Sequence, residues 1–128
     1  CFIECSKPMS KVEVFKEFTI DCAHRLPNVP VGHKCQNVHG HTYRIKIVVE
    51  SELDAHLGWV IDFQDINKAF QPVKDALDHR YLNDIVGLEN PTAEQIAIWI
   101  WNKIRQEIEF LKEIWVFETP SSGCVFRG

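Results

Sequence analysis

His39-Gly40-His41-Thr42-Tyr43-Arg44-Ile45-Lys46-Ile47-Val48-Val49-Glu50 has a period of two. Successive side chains of a strand point to opposite faces, so His39, His41, Tyr43, Ile45, Ile47 and Val49 share one side. Thr42, Arg44, Lys46 and Glu50 take the other. The apolar residues set this alternation without help from the histidines, which extend the apolar stripe at its N-terminal end.

Upstream, Val12 to His24 repeats the pattern. Val14, Phe18, Ile20, Cys22 and His24 lie on one face, with Val12 and an intruding Lys16. Glu13, Phe15, Glu17, Thr19, Asp21 and Ala23 lie opposite. An antiparallel pairing of the two strands brings the end of the first beside the start of the second. His24 then approaches His39 and His41. Neutral imidazole is a common zinc ligand, and three histidines with an open fourth position describe a catalytic zinc site. Other divalent metals accept the same donors.

Leu26 to Asn37 carries Pro27, Asn28, Pro30 and Gly32 and is a loop holding Cys35. Cys35 admits three readings: a fourth zinc ligand, a thiolate base or nucleophile beside an open zinc, or an inert loop cysteine. Downstream, Ser51 to Gly58 is a turn region. Asp62 caps a helix to about Leu77, whose buried stripe is Phe63, Ile66, Phe70, Val73 and Leu77, and Pro72 should kink or break it. Asp78 to Asp84 reads as a polar loop. Pro91-Thr92 with Gln95 is a capping box opening a second helix, buried through Ala93, Ile96, Ala97, Ile100, Ile104 and Ile108. Ile114–Thr119 and Cys124–Arg127 are two closing strands. The order is ββααββ, an α+β domain over residues 12–128, with 1–11 an N-terminal extension outside the core.

The chain has 128 residues, enough for one sizeable core. A formal charge of -4 and scattered basic residues argue against a nucleic-acid partner. No apolar run reaches the ~20 residues of a membrane span. Five cysteines without a CxxC pair or a secretory leader predict reduced thiols in a cytoplasm.

Asp78-His79 sets a carboxylate beside an imidazole, or else ends the helix with an exposed histidine. Glu118 shares a strand face with Ile114 and Val116, and a carboxylate there must be paired or bind something. A guanidine-like edge of a heterocycle satisfies it with two hydrogen bonds, as does an ion pair with a basic neighbour. His33 and His56 lie in loops and receive no role.

The segments Phe18–Leu26, Gly32–Cys35 with His39-Gly40-His41, Leu77–Asn83, Asn90–Glu94 and Glu118-Thr119 together resemble the 6-pyruvoyl-tetrahydropterin synthase superfamily over residues 14–128. The Gly32–Cys35 loop, Gly58–Phe63 and Trp99-Ile100-Trp101 are most similar to its queuosine-pathway branch, which makes 6-carboxy-5,6,7,8-tetrahydropterin. The resemblance implies a tunnelling fold: a four-stranded antiparallel sheet, two helices on one face, and subunits closing into barrels. It implies Zn2+ on His24, His39 and His41, Cys35 as catalytic thiol with Asp78 and His79 assisting, and Glu118 with Thr119 at the pterin. The implied substrate is 7,8-dihydroneopterin triphosphate, cleaved with loss of acetaldehyde and triphosphate. Alternatives are the sibling that stops at 6-pyruvoyl-tetrahydropterin, a zinc hydrolase, and a zinc-stabilised pterin-binding domain without catalysis. Open sheet edges and the apolar Trp115 and Phe117 predict a homo-oligomer, a homohexamer by the same resemblance.

Overall fold

The computed structural model describes residues 10–128. β1 (Lys11–His24) and β2 (His39–Glu52) form a long antiparallel pair in which His24 lies opposite His39 and Cys22 opposite His41. β3 (Leu111–Thr119) and β4 (Ser122–Phe126) extend the sheet in the order β1-β2-β3-β4, with every neighbouring pair antiparallel. β4 begins two residues earlier than the sequence suggests, because Thr119 pairs with Ser122 across a tight turn. Gly123 is required there: a Cβ would run into the Val116 carbonyl. Lys11, assigned above to the extension, is the first residue of β1; the rest of that segment through residue 9, with Cys1 and Cys5, lies outside the described residues.

Two helices cover one face of the sheet. α1 (Phe63–Leu77) starts where Asp62 accepts the Gln64 N–H. It runs through Pro72 without a break, contrary to expectation. Pro72 and Lys68, the residue whose carbonyl loses its N–H partner, are both exposed, so water can satisfy that oxygen. A helix-interior proline costs about 3 kcal/mol. Burial of Phe70, Val73 and Leu77 contributes roughly 1.5–3 kcal/mol each and outweighs it. Phe63, expected in the buried stripe, is half exposed, and Ala69 joins the stripe instead. α2 (Ala93–Ile104) is capped by Thr92, whose hydroxyl accepts the Gln95 N–H. Only this half of the capping box forms, since the Thr92 N–H donates to Asn90 O.

The core is one cluster between sheet and helices, built on Ile20, Tyr43, Ile45 and Ile47 from the strands. Residues 78–84 are not the expected polar loop. Ala23 bridges Tyr81 in parallel, a short 3-10 turn spans Leu82–Asp84, and Leu82 is fully buried. The segment therefore closes the outer edge of β1 at the end where the histidines stand. No helix among the described residues is long and apolar enough to cross a membrane.

Candidate metal centre and active site

The strand register alone brings His24, His39 and His41 together at one end of the helix-covered face. Glu118 enters from β3, across β2. One donor atom from each of the four lies within 4.8 Å of the others. His24 Nε2 is 3.0 Å from His39 Nε2, and Glu118 Oε1 is 3.0 Å from His41 Nε2 and 3.5 Å from His24 Nε2. Ligands about 2.0–2.1 Å from a tetrahedral zinc are separated by roughly 3.3 Å.

The tautomers strengthen the case. His24 Nδ1 lies 2.8 Å from the Pro91 carbonyl and His39 Nδ1 lies 2.8 Å from the Asn37 carbonyl. A neutral imidazole has one N–H, and these carbonyls accept it on Nδ1. Both Nε2 atoms are then bare acceptors facing each other at 3.0 Å. His41 Nε2 is buried with no contact of hydrogen-bond geometry, its near neighbour being the Glu118 carboxylate oxygen at 3.0 Å. Two lone pairs facing each other, with a third imidazole nitrogen and a carboxylate oxygen beside them, suit a divalent cation. Burial pushes the His24 pKa down, and the neighbouring His39 and His41 add to this, while the Pro91 carbonyl and Glu118 oppose it. His24 thus stays neutral, as a ligand must. The Tyr43 hydroxyl lies 3.2 Å from His24 Nδ1 beneath the cluster, and burial raises its pKa so that it keeps its proton.

Cys35 is not a member of that donor group. It sits on a 3-10 turn over Lys34–Gln36 and lines a cavity of about 510 Å³ with Lys34, His39, His41, Glu118 and Thr119. The structure thus gathers Cys35, His39, His41, Glu118 and Thr119 around one cavity, with His24 buried behind the two histidines. Glu118 is less buried than expected, 31% exposed at the cavity, and reaches the histidines rather than a basic side chain. The buried carboxylate on β3 is instead Glu113, which accepts from Trp115 Nε1 at 2.9 Å and Arg127 Nε at 2.7 Å.

Asp78 and His79 stand elsewhere. Asp78 Oδ1 accepts the Asp21 N–H at 2.9 Å, and Oδ2 lies 3.1 Å from His79 Nδ1. The Asp21 N–H is the main reason the Asp78 pKa falls below the usual carboxylate range, with His79 adding to it against some desolvation. His79 is 77% exposed and lines a second cavity, of about 570 Å³, with Asp21, Gly40, Thr42 and Arg80. Gly40 and His41 border both cavities, which lie back to back across β2. Within one chain His79 and Cys35 therefore line different cavities.

Sequence reasoning missed two groups. Pro91 lends a carbonyl to His24, visible only once α2 is placed. His33, left without a role, accepts the Cys35 N–H through Nδ1 at 3.1 Å. His56 is exposed, with its backbone N–H on Asp54, as expected of a loop residue.

Comparison with known proteins follows the same lines. The chain is 39% identical over 117 residues to the 6-carboxy-5,6,7,8-tetrahydropterin synthase of Synechocystis sp., covering 87% of this chain and 89% of that one. It is 36% identical over 98 residues to the dihydroneopterin monophosphate aldolase of Pyrococcus furiosus, covering 77% and 79%. The 6-pyruvoyl tetrahydropterin synthase structure from Caenorhabditis elegans superposes with a TM-score of 0.87 at 27% identity, over 94% of this chain and 97% of that one. With residues 13–128 matching the family profile described as 6-pyruvoyl tetrahydropterin synthase, the chain belongs to the 6-pyruvoyl tetrahydropterin synthase family.

Proposed function

We propose that the protein is a zinc-dependent carbon–carbon lyase that converts 7,8-dihydroneopterin triphosphate and one water to 6-carboxy-5,6,7,8-tetrahydropterin, acetaldehyde and triphosphate. The observation that carries this reading is a cluster of three imidazoles, two of which, His39 and His41, line one cavity with the Cys35 thiol. The choice of product rests on the 39% identical relative of that name.

His24, His39 and His41 would hold the metal, and Glu118, which lies against His41 in the free chain and is a third exposed, would then be released to the pterin. Bound there, zinc would supply Lewis-acid chemistry for negative charge on the substrate's side-chain oxygens. Cys35 takes and returns a proton at a side-chain carbon. His79, with its Nδ1 side held by Asp78, carries a proton on Nε2 at the neighbouring position. Glu118 accepts two hydrogen bonds from the guanidine-like edge of the ring, and Thr119 borders the same cavity. Reduction of the ring is balanced by oxidation of the side chain, so no redox cofactor enters. Because Cys35 and His79 line different cavities in one chain, the complete proton-transfer set is assembled from two copies of a homohexamer working in the cytoplasm.

The family description and the Caenorhabditis elegans neighbour favour a second reading, the sibling reaction that stops at 6-pyruvoyl-tetrahydropterin. Incubation with dihydroneopterin triphosphate followed by mass spectrometry decides between them. Acetaldehyde and the 6-carboxy product are expected. A 6-pyruvoyl product establishes the sibling, and pterin binding without triphosphate release leaves only a binding domain.

A further inference from the structure

A thiol that moves protons has to be held steady, yet Cys35 stands on a turn of three residues. A single turn fixes several dihedrals for one or two hydrogen bonds and is marginal by itself. What holds it lies in the residues just before it. Gly32 has a φ of +90°, a value that favours glycine, and turns the chain into His33. The His33 N–H donates to Pro30 O, and His33 O accepts the Gln36 N–H, both at 3.0 Å. The Leu26 N–H donates to Cys35 O at 2.8 Å, tying the turn to the end of β1. The N–H of Cys35 is left, and His33 Nδ1 accepts it at 3.1 Å. His33 has extended backbone angles, φ -67° and ψ 136°, as an N-cap residue does.

From this geometry we infer that His33 is the positioning residue of Cys35, acting as a neutral acceptor at the N-cap of the turn. The inference rests on the proposed role of Cys35 in proton transfer. Because Nδ1 accepts, the ring proton lies on Nε2. The N-cap position normally takes Ser, Thr, Asp or Asn, whose oxygens do the same work. Imidazole supplies the acceptor without placing a carboxylate charge beside the thiol, where it would disfavour a thiolate. His33 is exposed and lies outside the four-residue donor group, so its effect travels through the turn.

The test compares His33→Ala, which removes the acceptor, with His33→Asn, which restores a neutral one. In the zinc-loaded protein, His33→Ala should lower kcat about fivefold, the population change produced by loss of one ordinary cap. KM should stay within about twofold, and zinc content should not change. Hydrogen exchange of the Cys35 amide should quicken by a similar factor. His33→Asn should recover both quantities to within about twofold. Unchanged amide exchange in His33→Ala, an Asn variant as impaired as the Ala variant, or loss of zinc from either would overturn the inference. Cys35→Ala, assayed in parallel, separates the two levels. If that variant keeps its activity, the role of the thiol falls, while amide exchange still decides whether His33 holds the turn.

Discussion

On the helix-covered face His24 is fully buried, its Nδ1 bound to a carbonyl from another element and its Nε2 aimed at two further histidines. On the opposite face, at the same end of the sheet, His79 is 77% exposed and held by one carboxylate and one backbone carbonyl. Both are histidines placed by β1, yet one is immobilised in the core and the other left accessible to solvent, as the proposed ligand and proton-transfer roles require. Metal ligands gain from rigid strands whose register sets their separation. A proton-transfer group has to meet substrate. Gly40 and His41 are the shared wall between the two arrangements, so neither cavity alone contains everything the proposed reaction needs.

The largest expected effects break one arrangement while sparing the other. His39→Ala should remove most zinc and all turnover, whereas Cys35→Ala should keep its zinc and its fold and lose at least ~100-fold in kcat. Elemental analysis beside triphosphate release reads both, and stoichiometric zinc in His39→Ala would refute the three-histidine centre. If Cys35→Ala loses zinc and stability together, the thiol is a ligand and the centre is a closed one.

Mixing the faces tests whether they meet between subunits. Cys35→Ala and His79→Ala, each inactive, should regain activity when co-expressed, up to about a quarter of wild type for random assembly. A site built within one chain predicts no recovery in any mixture.

Glu118→Gln probes the boundary between metal and ring. It should weaken binding of a pterin analogue by ~1.5–3 kcal/mol in calorimetry, as for a charged hydrogen bond, and leave zinc content intact. Zinc lost with the charge would make Glu118 the fourth ligand. The smallest effect concerns Glu113, whose pKa the Trp115 N–H and Arg127 hold below the ordinary value of 4.5. A depressed folded pKa stabilises above the unfolded value, and the gain is lost as pH falls through the folded one. Arg127→Met, at a 60% exposed side chain, should cost only ~0.5–1 kcal/mol near neutral pH. That difference should vanish as Glu113 protonates below pH 4.5, measured as a shrinking gap between melting temperatures.

Much of the histidine cluster was legible because side-chain parity is local: Tyr43, Ile45 and Ile47 identify the buried face, and His39 and His41 follow at the same spacing. The caps at Asp62 and Thr92 are local too, and both formed. What escaped depends on contacts distant in sequence. The tolerance of Pro72 depends on which side of α1 meets water, and the burial of Leu82 on a bridge between Tyr81 and Ala23. Cys22 and Cys35 look alike in composition. Only placement shows that burial, aided by Asp78 and Asp21, pushes Cys22 up to about 12, whereas Cys35 borders a cavity. The separation of His79 from Cys35 was equally invisible, since motifs carry no record of which cavity each residue lines.

His79 has a φ of +59°, the single positive value among the described non-glycine residues. That conformation costs a residue with a Cβ roughly 1–2 kcal/mol. It is sustained because Asp21 O grips the His79 N–H at 2.6 Å while Asp78 holds the ring. Natural selection for folding alone would favour glycine or asparagine at position 79. Either would relax the backbone there and leave no imidazole to carry a proton. A lineage that kept the fold without the proposed proton transfer should therefore drift first at this residue, and such a change would mark a descendant retained for some other use.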